Sequence, residues 1–350
     1  MCRWFAYISP TEPCLLSDVL IDPKHSITHQ VNDHYLPRLL AHLPDTITAQ
    51  HEADARNRLL NADGTGVCWY TPAFSEFEAG VESDTKPNTL RPAVYKSVQP
   101  PAGDMNFRTI CTNTSTTCCF AHIRATSSTS VVQTNNHPFL FGRLSFMHNG
   151  VISNFVSIKR QLCAPLDNDT YAAILGGTDS EHLGALTIHY LTSGRGKASW
   201  DEEYTTAQLE AALHAAVKTV VELQKKILGP EARPNSLNLA ITDGTKMVCY
   251  RFRNHDNEQP PSLYYSTRAG VTLNRKFPGH PDGGKVVGSR RAEEEHGAHV
   301  IVASEPSTYK EDDWTLIGKN QAVLVEKDGS VEVRDIQYEK TWDAQDVIQA

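Results

Sequence analysis

The sequence predicts an α+β fold in which antiparallel strands and helices form separate layers, and three observations predict it. Short apolar, strand-like segments occupy both ends of the chain, whereas the long helical patterns are grouped in the middle, within 152–228. Two C-terminal segments, 236–252 and 322–336, have the pattern of β-hairpins, because an Asp-Gly pair separates their two apolar halves. Strands and helices do not alternate as they would in a doubly wound parallel fold, so a layered α+β domain is favoured.

The first half of the chain consists mostly of predicted strands. Apolar or alternating segments predict strands at 2–9, 65–71, 93–98, 118–124 and 143–150. The last of these is expected to end at an Asn149-Gly150 turn, since Asn-Gly is a common hairpin signal. A short helix is predicted at 17–22, and the polar segment 75–92, broken by proline and glycine, predicts a loop or an exposed hairpin.

The second half contains the predicted helices and the remaining strands. Helical spacing and cap-type residues predict helices at 152–162, 178–193 and 205–228. Ser153 is the expected N-cap of the first helix, and Gly229 with Pro230 ends the last. Further strands are predicted at 262–267 and 298–306, and a mobile loop at 274–297. We expect one domain, 1–337, followed by a C-terminal tail, 338–350.

Composition and charge exclude several classes of protein. The chain has 350 residues, of which 40% are hydrophobic and 21% charged, which is typical of a globular protein. Its net charge is −8 and it has no basic run, so nucleic-acid binding is not expected. A signal peptide and an apolar run long enough to cross a membrane are both missing. Eight scattered cysteines without a C-x-x-C pair predict a reduced, cytoplasmic protein.

Cys2 is a candidate catalytic nucleophile because of its position in the chain. If Met1 is removed, the thiol and a free α-amine share one residue, and the amine can accept the thiol proton near neutral pH. The small side chain of Cys2 favours that removal, which we therefore expect. The alternative, which position alone favours, is that Cys2 is a small apolar residue in an opening strand.

Four other residues have types and positions that suit an amidohydrolase. Asn149 and Gly150 offer adjacent donors for an oxyanion, although the pair could equally be only a turn. Arg124 could grip a carboxylate with its fork, or simply be a surface residue at a strand end. Asp179 could bind an ammonium group or cap a helix. Together these groups describe a site for a γ-glutamyl substrate, with its α-carboxylate, its α-ammonium group and its side-chain carbonyl each recognised.

With these residues placed, the sequence resembles the class II glutamine amidotransferases, which are N-terminal-nucleophile hydrolases. The matching motifs occur in the family's order over nearly the whole chain: MCR, NADGTGVCWY, AHIRAT, NNHPF, FMHNGVISN and GGTDSE. The segments SLNLAITDG, SLYYS, VIVASEP and DPKHSITHQ resemble the branch that includes the amidotransferase-like subunit of the fungal glutathione-degrading complex. This resemblance implies a four-layer αββα sandwich of two antiparallel sheets between helices.

The resemblance also implies a role for each motif residue. It assigns the nucleophile to Cys2, the oxyanion hole to Asn149 and Gly150, and the α-amino contact to Asp179. Arg124 would bind the α-carboxylate, helped by the hydroxyl region of Thr126 and Ser127. The histidines of two further motifs, His137 and His148, would shape the site. No cofactor and no metal are expected.

The motif residues indicate a γ-glutamyl head, but they do not identify the group attached to it. The resemblance implies hydrolysis of glutathione or a related compound, together with a metallopeptidase-like partner subunit. The helices and strands are accounted for by the amidohydrolase fold, so a synthase domain is not expected. A glutaminase or ammonia donor to a partner synthase, and a hydrolase of another γ-glutamyl thiol, remain alternatives. Ala125, Thr65 and the segment 126–130 depart from patterns seen in relatives, which leaves the leaving-group side open.

Two readings outside this enzyme class also remain. The chain could be a non-catalytic subunit that binds γ-glutamyl ligands. It could also bind a metal, since His25 and His29 have i, i+4 spacing and His34 and His42 follow. With 15 histidines such spacing is expected by chance, and no cluster with zinc-type spacing accompanies them, so we favour surface and packing histidines.

Overall fold

The structure is a computed structural model that describes residues 2–31, 63–77, 90–126, 129–277, 279–280 and 291–344. Several residues considered above lie outside these ranges: Met1, His34, His42, Ser127, part of the predicted loops at 75–92 and 274–297, and the end of the tail, 345–350. Within the described residues, no helix combines the length and the apolar character needed to cross a membrane.

Most of the described strands belong to two large sheets. The strands are β1 (Arg3–Ile8), β2 (Cys14–Leu15), β3 (Thr65–Thr71), β4 (Arg91–Ser97), β5 (Ser115–Thr116), β6 (Cys118–Ile123), β7 (Phe139–Phe141), β8 (Leu144–Val151), β9 (Ser236–Thr242), β10 (Met247–Arg253), β11 (Tyr264–Ser266), β12 (Val300–Ala303), β13 (Thr315–Leu316), β14 (Gln321–Val325) and β15 (Val331–Asp335). The helices are α1 (Leu16–Leu20), α2 (Ala73–Glu76), α3 (Met105–Asn113), α4 (Phe155–Cys163), α5 (Asn168–Ala172), α6 (Asp179–Thr192) and α7 (Thr206–Leu228).

Both large sheets are antiparallel throughout. The first has seven strands in the order β13-β11-β12-β1-β6-β3-β4, and the second has six in the order β15-β14-β10-β9-β8-β7. Strand β1 is central in the first sheet, where Arg3 pairs with Ile123 of β6 and Phe5 pairs with Ala303 of β12. The predicted α+β class with antiparallel strands is therefore confirmed. The chain direction places the residue before β1, Cys2, beside the C-terminal end of β6.

Three apolar clusters hold the layers together. One contains inward-facing residues of both large sheets, for example Trp4 of β1 and Met147 of β8. A second joins the other face of the six-stranded sheet to α4, α6 and α7, and a third joins the other face of the seven-stranded sheet to α1 and α3. Strand residues alternate between faces, so neighbouring positions of β1 contribute to different clusters. Trp342, in the predicted tail, is buried in the second cluster.

Most of the predicted elements are present, but two local predictions are wrong. Strand β8 does not end at an Asn149-Gly150 turn, because both residues stay in the ladder, paired with Asn238 and Leu237. Ser153 does not cap α4: its hydroxyl donates to Pro234 O at 2.7 Å, and Asn154, with φ 55°, precedes the helix. The hairpins at Asp243-Gly244 and Asp328-Gly329 are confirmed.

Candidate active site

A single cavity of about 570 Å³ collects most of the candidate residues. It opens between the C-terminal ends of β6 and β8 and the first turns of α4 and α6. Among its lining residues are Cys2, Arg124, Thr126, His137, His148, Gly150 and Asp179. Residues more than 100 positions apart thus meet at one site, as a shared substrate would require.

Cys2 is held against the residue that follows Arg124. Its Sγ lies 3.3 Å from Ala125 N, which donates to it, and 3.4 Å from Ala125 O. The pairing of Arg3 with Ile123 brings these segments together. Burial raises the pKa of the Cys2 thiol, while the Ala125 N–H and the Arg124 guanidinium act to lower it. The thiol is therefore protonated near neutral pH and needs a base before it can attack.

Arg124 projects from the end of β6 into the cavity wall. Its guanidinium donates to Ser130 O at 3.0 Å and to the Thr129 hydroxyl, so the following loop fixes its orientation. Burial lowers the pKa of Arg124, although the neighbouring Cys2, Asp63 and Asp179 act to raise it. An arginine keeps its charge under such conditions, so the cavity contains a fixed cation beside the thiol.

Thr126 supports this loop. Its N–H donates to Asp63 Oδ2 at 2.7 Å, and its hydroxyl donates to Thr129 O at 3.1 Å. Thr126 therefore lines the cavity while holding the turn that orients Arg124. Ser127, predicted beside it, is outside the described residues.

Asp179 is the first residue of α6, but it is not the cap. The cap is Thr178, whose hydroxyl accepts from Glu181 N at 3.1 Å. The Asp179 carboxylate accepts from Ile152 N and from Ser180 N, both at 2.8 Å. Each carboxylate oxygen has two lone pairs, so the group can still accept a hydrogen bond from a ligand ammonium.

Gly150 occupies a position that only glycine fits. Its φ is +150°, and an added Cβ would lie 1.7 Å from Ser236 O in the neighbouring strand. The Asn149 side chain is buried beneath the cavity wall and is not among the lining residues. Its Nδ2 makes a long contact of 3.4 Å to Ser304 Oγ. The structure thus brings Gly150 to the cavity and sets Asn149 just behind it.

Two of the cavity's histidines differ in their surroundings. His148 Nε2 lies 3.3 Å from Ser236 O, which can only accept, so Nδ1 accepts from the Ser180 hydroxyl at 2.9 Å. Burial lowers the pKa of His148, which favours this neutral form. His137 is stacked on His122, with ring centroids 4.0 Å apart, and burial lowers the pKa of His122 to about 3. No local pattern predicts that stack, although His122 lies in the AHIRAT motif.

The remaining wall is formed by the start of α4 and the segment before it. Val151, Phe155, Val156 and Lys159 line this side. Sequence reasoning did not identify them, because a half-exposed helix face carries no chemical signature.

A possible metal site is separate from these residues. Among the residues that the structure describes, Asp18, Asp22 and His280 lie close enough to share an ion. Arg275 already pairs with both carboxylates of this group, with Nε 2.6 Å from Asp18 Oδ1 and a terminal nitrogen 2.9 Å from Asp22 Oδ2. His25, which the sequence suggested as a ligand, bonds instead to Glu305 at 3.0 Å.

Comparison with known proteins places this geometry in context. The chain is 30% identical over 332 residues to the "probable glutamine amidotransferase DUG3" of Saccharomyces cerevisiae, covering 93% of this chain and 82% of that protein. A class-II glutamine aminotransferase domain protein of Silicibacter pomeroyi aligns over 96% of this chain and 99% of its own, with a TM-score of 0.55 and 20% identity, which shows a shared fold. The glutamine phosphoribosylpyrophosphate amidotransferase of B. subtilis aligns with 95% of this chain and 49% of its own, with a TM-score of 0.48 and 12% identity, and adds nothing further. No protein-family model matches the chain.

Proposed function

Because the chain belongs to the class II glutamine amidotransferase family, we propose that it is an amidohydrolase that cleaves γ-glutamyl amide bonds with Cys2 as nucleophile. The observation that carries this proposal is the shared cavity of Cys2, Arg124 and Asp179. It offers one nucleophile, one cation and one carboxylate. A γ-glutamyl head has a carbonyl, a carboxylate and an ammonium group to match them.

The proposed reaction begins once Met1 has been removed. The α-amine of Cys2 takes the thiol proton, and the sulfur bonds to the carbonyl carbon of the γ-glutamyl amide while the carbonyl electron pair moves to oxygen. Donors from Asn149 and Gly150 stabilise that oxyanion. When the carbonyl re-forms, the C–N bond breaks and the leaving nitrogen takes the proton from the α-ammonium, which leaves a γ-glutamyl thioester.

Water completes the cycle. The α-amine accepts a proton from the attacking water, a second oxyanion forms, and the C–S bond breaks as the sulfur recovers the proton. The products are glutamate and the free thiol, and no electrons are exchanged with another reagent. Both half-reactions use the same base and the same donors.

Charge complementarity supports the way in which the substrate head would bind. Arg124, oriented by its loop, would take the α-carboxylate in a charge-assisted pair, and the hydroxyls of Thr126 and Ser127 would help it. Asp179 would take the α-ammonium. His148 supports this arrangement through Ser180, the neighbour of Asp179, and His137 lines the same cavity.

We further propose glutathione or a related γ-glutamyl compound as the substrate. The cavity continues past the head-binding residues along Val151, Phe155 and Val156, which suits a leaving group larger than ammonia. The resemblance to the fungal subunit supports a metallopeptidase-like partner that would act on the released dipeptide. All eight cysteines are unpaired, which supports a reducing, cytoplasmic location.

The family also predicts how the layers are arranged. We propose the order helices, seven-stranded sheet, six-stranded sheet, helices for a single domain that spans 1–337. The three clusters support it, since one lies between the sheets and each of the others joins a sheet to helices.

A panel of substrates tests the proposed function. Glutamate release should be fastest from glutathione or another γ-glutamyl peptide and at least about 10-fold slower from glutamine. Only the peptides have a leaving group large enough to contact the apolar wall of the cavity. N-acetylated glutathione serves as control and should not be cleaved, since it has lost the ammonium charge. Preference for glutamine would favour the ammonia-donor alternative, and no release from any of these compounds would refute amidohydrolysis.

A further inference from the structure

We propose that Ser304 and Glu305, which directly follow β12, are positioning residues that hold the nucleophile and the oxyanion donor in register. The proposal rests on the proposed function and deepens it. Ser304 and Glu305 belong to the VIVASEP motif and do not line the cavity. Neither residue takes part in the proposed reaction steps. Glu305 acts on the Cys2 side and Ser304 on the Asn149 side.

Glu305 anchors the residue that follows the nucleophile. Its Oε1 lies 2.6 Å from Arg3 Nε, and its Oε2 lies 3.0 Å from His25 Nε2. Arg3 in turn donates from a terminal nitrogen to Cys2 O at 3.2 Å. Arg3, His25 and Glu305 are each at most 5% exposed, so their bonds are little weakened by water. The carbonyl of Cys2 is thereby fixed through a buried chain of three side chains.

Ser304 forms hydrogen bonds with both backbone polar groups of Trp4, the residue of β1 that follows Arg3. Its backbone N–H donates to Trp4 O at 2.9 Å, and Trp4 N donates to the Ser304 hydroxyl oxygen at 3.0 Å. The ladder between β1 and β12 ends one step earlier, at Phe5 and Ala303. Ser304 therefore continues the support of β1 to within two residues of the nucleophile.

The Ser304 hydroxyl also touches Asn149, across the gap between the two sheets. Asn149 Nδ2 lies 3.4 Å from Ser304 Oγ, while the buried Asn149 Oδ1 has no hydrogen-bond partner among the described residues. A buried unpaired carbonyl is unfavourable. A half-turn of this amide exchanges its oxygen and nitrogen, and the Ser304 hydroxyl proton, which is not needed for Trp4, can then be donated to Oδ1.

This orientation has a catalytic consequence. With Oδ1 held by Ser304, the amide nitrogen of Asn149, just behind the cavity wall, no longer bonds to Ser304, and its N–H groups can serve the oxyanion. Ser304 thus determines that Asn149 presents its donors and not its carbonyl to the reaction. One hydroxyl, bonded to Trp4 and Asn149, links the strand that carries the nucleophile to the strand that carries the donor.

Three motifs gain a role from this arrangement. MCR supplies Arg3, DPKHSITHQ supplies His25, and VIVASEP supplies Ser304 and Glu305. These segments are separated by about 300 positions along the chain and meet only in the folded protein. Their contacts converge on Cys2 and Asn149, the two groups that must face the same carbonyl group.

Two reactions of Cys2, hydrolysis and alkylation, distinguish the role of Ser304 from that of Glu305. Hydrolysis of a γ-glutamyl substrate passes through an oxyanion, whereas alkylation of Cys2 by iodoacetamide does not. For Ser304→Ala we expect kcat to fall about 10- to 100-fold, somewhat less than when an oxyanion donor itself is removed. KM and the alkylation rate should be nearly unchanged, because the backbone bond from residue 304 N to Trp4 O remains. Ser304→Thr keeps the hydroxyl and should recover most of kcat.

The controls address folding. Ser199→Ala also removes a buried hydroxyl, one that donates to Gly196 O at 2.7 Å, and should keep wild-type kcat. Thermal unfolding of each variant identifies loss of structure. If Ser304→Ala does not fold, Ser304→Cys, which keeps the side-chain size with a weaker donor, carries the same expectation. Unchanged kcat in Ser304→Ala, or equal losses in hydrolysis and alkylation, would overturn the role of Ser304.

Glu305→Gln tests the contacts that connect Glu305 to Cys2 through Arg3. Because it loosens Arg3 and hence Cys2, we expect hydrolysis and alkylation to fall together, by about 10-fold, as a small displacement of a reacting group causes. Unchanged alkylation would overturn the role of Glu305. If the wild-type protein cleaves γ-glutamyl substrates but the variants behave as wild type, this inference alone fails. If the wild-type protein cleaves none of them, the proposed function fails and takes this inference with it.

Discussion

Replacing Cys2 with alanine is expected to reduce γ-glutamyl hydrolysis at least about 10⁴-fold, because covalent catalysis is lost entirely when its nucleophile is removed. The Arg124 and Asp179 side chains remain in Cys2→Ala, so the variant should still bind the substrate. Glutamate release under saturating substrate measures the effect. Calorimetry of Cys2→Ala with the uncleaved substrate should give a dissociation constant of the same order as the wild-type KM.

The matched control is Cys163→Ala. Cys163 is the other cysteine that is partly exposed, and it does not line the cavity. Its replacement should leave the rate unchanged. A Cys2→Ala protein with substantial hydrolysis would show that another group attacks the substrate, and one with full cellular function but no hydrolysis would favour a binding subunit.

Gly150→Ala is expected to have the second largest effect. The new methyl group would overlap the Ser236 carbonyl, and φ +150° is unfavourable for any residue with a Cβ. The end of β8 must move, so the free energy of unfolding should fall by at least about 2 kcal/mol. The rate should fall about 10²- to 10³-fold, as expected when an oxyanion donor is displaced. Denaturant unfolding and steady-state kinetics measure the two effects.

Gly103→Ala provides the comparison for this variant. An added Cβ at Gly103 meets no atom within 4 Å, so neither stability nor rate should change appreciably. If Gly150→Ala retained wild-type stability and rate, the close approach of β8 and β9 at this point would be incorrect, and with it the placement of the oxyanion donors.

The strands and long helices could be predicted from the sequence because their signals are local. The apolar run of β1, the Asp-Gly hairpins and the periodic pattern of α7 each depend on neighbouring residues. The Asn149-Gly150 turn was predicted wrongly for the same reason: Asn-Gly is a local turn signal, but pairing with β9 keeps these residues in a strand. Helix α3 was missed, although Asp104 caps it and Phe107 with Cys111 gives it a buried i, i+4 face.

Some residues of the candidate site could also be predicted from local sequence, and others could not. Cys2, Arg124 and Asp179 could be selected by residue type, since each offers an obvious nucleophile or charge next to an element end. Ser304 and Glu305 could not, because a serine and a glutamate after a strand have many ordinary roles. Only contacts across some 300 positions show what they touch. The stack of His122 on His137 likewise depends on how a strand and a distant loop meet.

We propose that the mature chain begins at Cys2 and carries the γ-glutamyl group on that residue during turnover. The most direct test is mass spectrometry of active protein quenched in acid during turnover, followed by mapping of its N-terminal peptide. We expect a peptide that starts at Cys2, with Met1 absent, and a fraction that carries one γ-glutamyl group on the thiol. Fully active protein that retains Met1, or a γ-glutamyl group bound to a different residue, would contradict it.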